Sequence, residues 1–276
     1  MYGTDCSLTK TINAPDRVFG LAMMDKKLYV LRQRLDKQIY VYNAENFELT
    51  DDYITIPDFT VNESGWNDMT GCVPEKCLFV SDFDGMCIRK VCLKSGVKVS
   101  KFADVPYAPK GLSITPEGHL LVSCDPNKLL ELNVKTGEKV GELDLHSDIE
   151  FPKHALKRAD KQYVVSYDIK DGLHRVCIVG PDGYLRHCYG GLAGPGDLQL
   201  HTPCYLALCA DDHVIVADND NGRIVLLNSA LEFVRYILDF HEPHRLFFDK
   251  NAGRLYVGEC TNGNIKIFQV VYSLSK

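Results

Sequence analysis

The sequence predicts an all-β fold: a six-bladed β-propeller of four-stranded antiparallel blades, built as one domain over residues 1–276. Three observations carry this. The first is a four-strand unit at 190–237, where a Gly-rich turn (190–197) is followed by apolar runs at 204–208, 214–217, 223–227 and 232–237. Gly, Asp and Asn turns separate the runs, as in a meander of short strands that makes one blade. The second is recurrence. A proline opens the first run at Pro15, Pro109, Pro152, Pro203 and Pro243, and a copy without the proline lies at 66–72. Pro15 and Pro243 stand 228 positions apart, five intervals of about 46 residues, within the ~40–50 of propeller blades. The third is a lack of any 3.6-residue apolar period sustained over three turns, so almost no helix is expected.

Each proline-led run is followed by a second and a third. The second runs lie at 28–31, 78–80, 120–123, 163–166, 214–216 and 255–257, and the third at 39–42, 86–88, 129–132, 176–178, 224–227 and 265–268. Blade one spans about 15–56, with 53–56 as its outer strand. Blade two is irregular and begins through 61–71, which holds the single Trp66. Blade three, from Pro109, has tight turns at 116–118 and 135–138. Blade four, from Pro152, has a longer loop at 167–173 and a hairpin at 180–183. Blade six, from Pro243, stops after its third strand at 265–270, while the alternating segment 4–12 has no blade of its own. The expected closure pairs that N-terminal segment with the last blade, which removes an unpaired edge.

Apolar residues make up 45% and charged residues 25% of the chain, as in an ordinary globular protein, and the net charge is −6. Neither figure gives a global attraction to nucleic acid or anionic lipid. No apolar run approaches the ~20 residues of a membrane-spanning helix, and the N-terminus lacks a signal-peptide pattern. The expectation is a cytoplasmic monomer with no membrane association. The 11 cysteines mostly sit inside apolar runs, where a free thiol behaves as a small hydrophobe. All are expected free. The pairs Cys72/Cys77 and Cys87/Cys92 lack zinc-ligand spacing, and no cofactor is expected.

Residues beside the prolines begin the innermost strands at one rim of the central channel. One position on, the copies give Asp16, Asn67, Lys110, Lys153, Cys204 and His244; two positions on, they give Arg17, Asp68, Gly111, His154, Tyr205 and Arg245. This polar, basic and aromatic ring precedes apolar positions. It reads either as solvated loops or as a recognition surface, since loops on a rigid scaffold carry function disproportionately. The candidate binding rim is Arg17, Asn67, Asp68, Lys110, Lys153, His154, Tyr205, His244 and Arg245, with no catalytic residue assigned.

A metal set of Asp68, His154 and His244 is conceivable, since His154 and His244 stand 90 positions apart, close to two repeats. Their different offsets from the proline argue against convergence. The turn at 218–223 fails the calcium-loop pattern, with Gly222 at the fifth position and no Glu at the twelfth; Asp218 and Arg223 read instead as a structural pair across a hairpin. No Gly-x-Ser-x-Gly, Walker A or His-Glu-x-x-His pattern is present.

The order Gly-rich turn, proline, apolar run, Val-Ala-Asp (216–218) and Asn-Gly-Arg-Ile (221–224) resembles the NHL repeat, and the resemblance covers nearly the whole chain, strongest in blades five and six. It implies a propeller similar to the C-terminal domain of tripartite-motif NHL proteins, without their RING, B-box and coiled-coil modules. Such domains recruit protein or RNA targets. Three functions follow as expectations. The first is a non-enzymatic module binding a protein partner at the rim, as a substrate-recruiting domain does in ubiquitin-ligase-related systems. The second is RNA binding through Arg17, Lys110, Lys153, Arg245 and Tyr205. The third is a metal-dependent lyase or hydrolase, as in the peptidyl-amidating lyases, NHL-like propellers that hold zinc with histidines.

Overall fold

The computed structural model describes residues 3–13, 16–32, 38–57, 67–169, 172–209, 212–237 and 240–273. Pro15 and the stretch 61–66 with Trp66 lie outside them. Blade one is β2 (Val18–Met24), β3 (Lys27–Arg32), β4 (Gln38–Asn43) and β5 (Leu49–Thr55); blade two is β6 (Met69–Cys72), β7 (Cys77–Asp82), β8 (Cys87–Cys92) and β9 (Lys98–Asp104). Blade three is β10 (Pro109–Ile114), β11 (His119–Cys124), β12 (Lys128–Asn133) and β13 (Lys139–Asp144). Blade four is β14 (His154–Lys157), β15 (Tyr163–Asp168), β16 (Leu173–Val179) and β17 (Leu185–Leu192). Blade five is β18 (Pro203–Leu208), β19 (Val214–Asp218), β20 (Arg223–Leu227) and β21 (Phe233–Ile237). In blade six, β22 (Pro243–Asp249), β23 (Arg254–Glu259) and β24 (Ile265–Ser273) are completed by β1 (Gly3–Ile12) as the outermost strand.

The result is a six-bladed β-propeller. The innermost strands β2, β6, β10, β14, β18 and β22 touch in that order, and β22 returns to β2. β1 runs antiparallel to β24 from Gly3 opposite Ser273 to Ile12 opposite Ile265, which is the closure expected from the sequence.

Inner and outer strands differ in pattern because they differ in surroundings. β7, β19 and β20 are buried at every position, since a neighbouring blade covers each face, and they read as continuous apolar runs. β9 and β13 lie at the circumference and are mostly exposed or half-buried. The apolar cores fill the spaces between blades: Phe19, Leu31 and Val80 between blades one and two, Leu112 and Phe79 between two and three, Ala217 and Leu255 between five and six. Each interface buries apolar area at roughly 25 cal/mol per Å2.

The cysteines depart from expectation. Cys177 stands directly opposite Cys188 across β16 and β17, and the two form a disulfide. Nine thiols remain free, with Cys6, Cys92 and Cys260 half-buried and the rest buried. A spacing of 11 residues does not announce the pairing, because strand register brings the two side chains together.

Candidate functional site

Pro109, Pro203 and Pro243 start the innermost strands β10, β18 and β22, and Pro152 lies two positions before β14, yet the polar residues at this level do not form an open rim. Asn67, Asp68, Lys110, His154, Tyr205 and Arg245 are all buried, with Asp68 and His154 at 1% exposure. They form two tiers inside the channel.

The inner tier is a hydrogen-bonded plug. Asp68 Oδ2 accepts from the Leu112 amide at 2.7 Å and from the Tyr205 hydroxyl, and its Oδ1 lies 3.6 Å from Arg245 Nε. Arg245 donates to the carbonyls of Phe19 and Asn67, both at 2.7 Å, and sits 5.1 Å above the Tyr205 ring. The His154 ring stacks on Tyr205 with centroids 3.7 Å apart, and its Nε2 lies 3.2 Å from the Leu112 carbonyl. Blades two, three, four, five and six, together with Phe19 of blade one, are thus tied across the axis. Gly111 holds the equivalent place in blade three because a Cβ there would meet the Lys153 carbonyl oxygen at 2.4 Å.

Burial sets the titration of this tier. It raises the Asp68 carboxyl to about 6, an effect moderated by Arg245, Tyr205 and the Leu112 amide. It lowers His154 to about 3. A carboxylate so engaged and a neutral, stacked imidazole are components of the scaffold.

The outer tier opens to the mouth. A cavity of about 250 Å3 there is lined by Arg17, Lys110, Lys153, His244 and Arg245, together with Thr202, Cys204, Asn219 and Cys260. Arg17 is exposed. The other cations are held from behind: Lys110 lies 2.5 Å from Asp125 and Lys153 lies 2.7 Å from Asp168. Burial lowers Lys110 despite Asp125, whereas at Lys153 nearby negative charge, Asp168 included, outweighs burial and raises it. Burial, with Arg245 and Lys153, holds His244 well below the ordinary histidine value. Burial also pushes the Cys204 thiol up to about 11 and raises Cys260, so neither is an activated nucleophile at neutral pH.

The lysine pairs are a variation on the repeat. In blades two, five and six the acid ending the second strand pairs with the cation of the third: Asp82 with Arg89 at 2.8 Å, Asp218 with Arg223 at 2.7 Å, Glu259 with Lys266 at 3.0 Å. In blades three and four the acid turns inward to a lysine beside the proline. The expected Asp218–Arg223 hairpin pair is present.

Beside the cavity runs a groove of about 680 Å3, sharing Lys110, Lys153 and Thr202 with it. Phe151, Ile169 and Ala193 supply its apolar surface, and Asp125, Asp168, His174 and His201 its polar surface. The Thr202 amide donates to His174 Nδ1 at 2.8 Å, and burial lowers this histidine. Sequence reasoning missed Phe151 and Thr202, although each immediately precedes a proline, and missed Asp125, which follows β11, and Asp168, which ends β15.

The metal set does not assemble. His244 lines the mouth cavity, His154 lines a cavity on the far side of the plug, and Asp68 is spent within it. Among the described residues no three His, Cys, Asp or Glu side chains converge as a metal site.

No protein-family model matches the sequence, and no curated protein matches it. Among solved structures, it is similar to a structural-genomics protein of unknown function from Bacteroides thetaiotaomicron: TM-score 0.71, 13% identity, over 98% of this chain and 77% of that one. It is also similar to virginiamycin B lyase from Staphylococcus aureus, with TM-score 0.63 and 13% identity over 98% of this chain and 100% of the lyase. The β-propeller domain of Cps50 (Swd1) from Myceliophteria thermophila gives TM-score 0.63 and 13% identity over 92% of this chain and 84% of that one. At such identities the likeness shows a shared fold.

Proposed function

We propose that this chain is a non-enzymatic recognition module that holds a segment of a protein partner across the channel mouth. The observation that carries the reading is the groove: an apolar strip with Phe151 45% exposed, flanked by lysine, histidine and aspartate, and continuous with the cationic cavity. Apolar ground with a few placed polar groups is what a bound segment needs for affinity and orientation. The NHL-like order of residues in blade five supports a recruiting domain of that type. A cytoplasmic setting belongs to the same reading: the nine free thiols favour it, and the Cys177–Cys188 disulfide, which a reducing compartment disfavours, weighs the other way.

RNA binding has less support. Single-strand binders spread cations along a groove with exposed aromatic platforms. Here the cations line a well, and Tyr205 is 7% exposed and already stacked on His154.

A photo-crosslinking residue at Phe151 tests the proposal against the same residue at Lys161, which lies in the exposed turn between β14 and β15 on the opposite face. In extract of the source cells, Phe151 should give a discrete protein adduct and Lys161 none. Equal adducts from both positions, or an adduct to RNA, would reject it.

A further inference from the structure

The mouth cavity has a chemistry that the groove alone does not explain. Four cationic side chains, Arg17, Lys110, Lys153 and Arg245, reach it from four different blades, and among the described residues no carboxylate lines it. This occurs in a chain of net charge −6. The carboxylates that stabilise the cations, Asp125 and Asp168, belong to the adjoining groove, and Asp68 sits below in the plug. Lys110, Lys153 and Arg245 are each paired with an acid that does not line the well, and Arg245 is also tied to the Phe19 and Asn67 carbonyls, so the well has cationic walls with its carboxylates set back, an arrangement that favours an incoming anion. His244 adds a neutral ring, while the Thr202 hydroxyl donates to Asp220 and Asn219 Nδ2 donates to the Pro243 carbonyl at 3.0 Å, so the cations are the groups left to meet an anion.

We infer that this well is a binding site for one anionic end group, a carboxylate or a phosphoryl group, carried by the protein segment that crosses the groove. The inference rests on the proposed partner reading and names its chemistry: an acidic or phosphorylated side chain, or a C-terminal carboxylate. Size sets the limit. About 250 Å3 lies below the ~300–1,000 Å3 of pockets that enclose whole small molecules, so the well takes an end group and leaves the remainder of the ligand to the groove. Charge-assisted hydrogen bonds from arginine and lysine to a carboxylate or phosphate are roughly twice as strong as neutral ones, and Arg17, the exposed member, is placed to engage an anion as it arrives.

The test uses the full chain with inorganic phosphate and with succinate, each against sodium chloride at equal ionic strength. Calorimetry should show one site per chain for at least one of the two anions, and the melting temperature should rise with that anion beyond the chloride control. The anion that binds more tightly identifies the phosphoryl or carboxylate source. Arg17→Glu, a substitution at an exposed position, should weaken binding at least tenfold, while Lys161→Glu on the far face should leave it unchanged. Failure of the native chain to bind either anion, or equal binding by Arg17→Glu, overturns the inference. Crosslinking separates the two levels. A Phe151 protein adduct that survives both Arg17→Glu and excess phosphate retains the partner reading and rejects the anion site. One-to-one phosphate binding without a protein adduct at Phe151 rejects the partner reading and retains the well.

Discussion

Asp68, His154 and His244 share one channel, yet burial drives their proton equilibria in ways that oppose each other in stability. Asp68 titrates at about 6 instead of 3.8, so between those values the folded chain holds more protons than the unfolded one, and stability falls as pH rises through that window. His154 titrates at about 3 instead of 6.5, and His244 is displaced in the same direction. For these two the unfolded chain holds more protons, so stability is lost as pH falls below 6.5. The two histidines outweigh the single aspartate, each unmatched group contributing at most about 1.4 kcal/mol per pH unit. The native protein should therefore lose stability from pH 6.5 to 4, His154→Asn should flatten that loss, and Asp68→Asn should steepen it by removing the opposing contribution. Urea unfolding across this range reads the three slopes. An unchanged slope for Asp68→Asn would mean that its carboxyl is not perturbed by the plug.

At the level of the hairpin, Arg223 shows how one residue of the repeat organises a loop. Its Nε meets Asp218 at 2.7 Å, its Nη1 donates to the Pro195 carbonyl at 2.9 Å, its Nη2 donates to Gln199 at 3.0 Å, and the guanidinium lies 4.2 Å over Tyr236. The Gly-rich turn is thus fastened to the β19–β20 hairpin. Removing one partner of a buried pair costs roughly 3–5 kcal/mol, so Arg223→Ala should lower unfolding stability by about that much, and Arg223→Lys by less. A loss under 1 kcal/mol would show the turn to be held by other contacts. This pair was legible in the sequence because it lies within five positions, as were the runs of the inner strands and the turns between them. The orientation of the residues after the prolines was not. β10, β18 and β22 each pair irregularly with their neighbour just past the proline, and such an irregularity breaks the two-residue alternation from which side-chain direction is read. Lys110, Tyr205 and Arg245 therefore looked like an open rim, although they are buried in the channel. The Cys177–Cys188 pairing depends on register across two strands and was hidden for the same kind of reason.

At the scale of the ring, each blade is one continuous stretch of chain except blade six, whose outermost strand comes from the other end of the protein. β1 supplies nine registered pairs to β24. Its Thr9 hydroxyl donates to the Ile267 carbonyl at 2.9 Å, and Ile12 is buried against Tyr256 and Ile265 in the core between blades six and one. Removing residues 1–12 would expose the β24 edge, a row of unpaired backbone groups prone to pairing with another chain. It would also remove the buried Ile12, worth about 1.5–3 kcal/mol by itself. With the half-buried Cys6, which packs on the core between blades five and six, the loss should reach several kcal/mol. At ~2–4 °C per kcal/mol for a chain of this general size, the truncated protein should melt about 10 °C lower and associate in a concentration-dependent manner. A synthetic peptide of residues 1–12 added in trans should restore part of the loss, because it can re-form the β24 pairing without the covalent link. A truncated chain melting within a degree or two of the full protein, and indifferent to the peptide, would show that the ring holds by inter-blade packing alone and that β1 merely covers its edge.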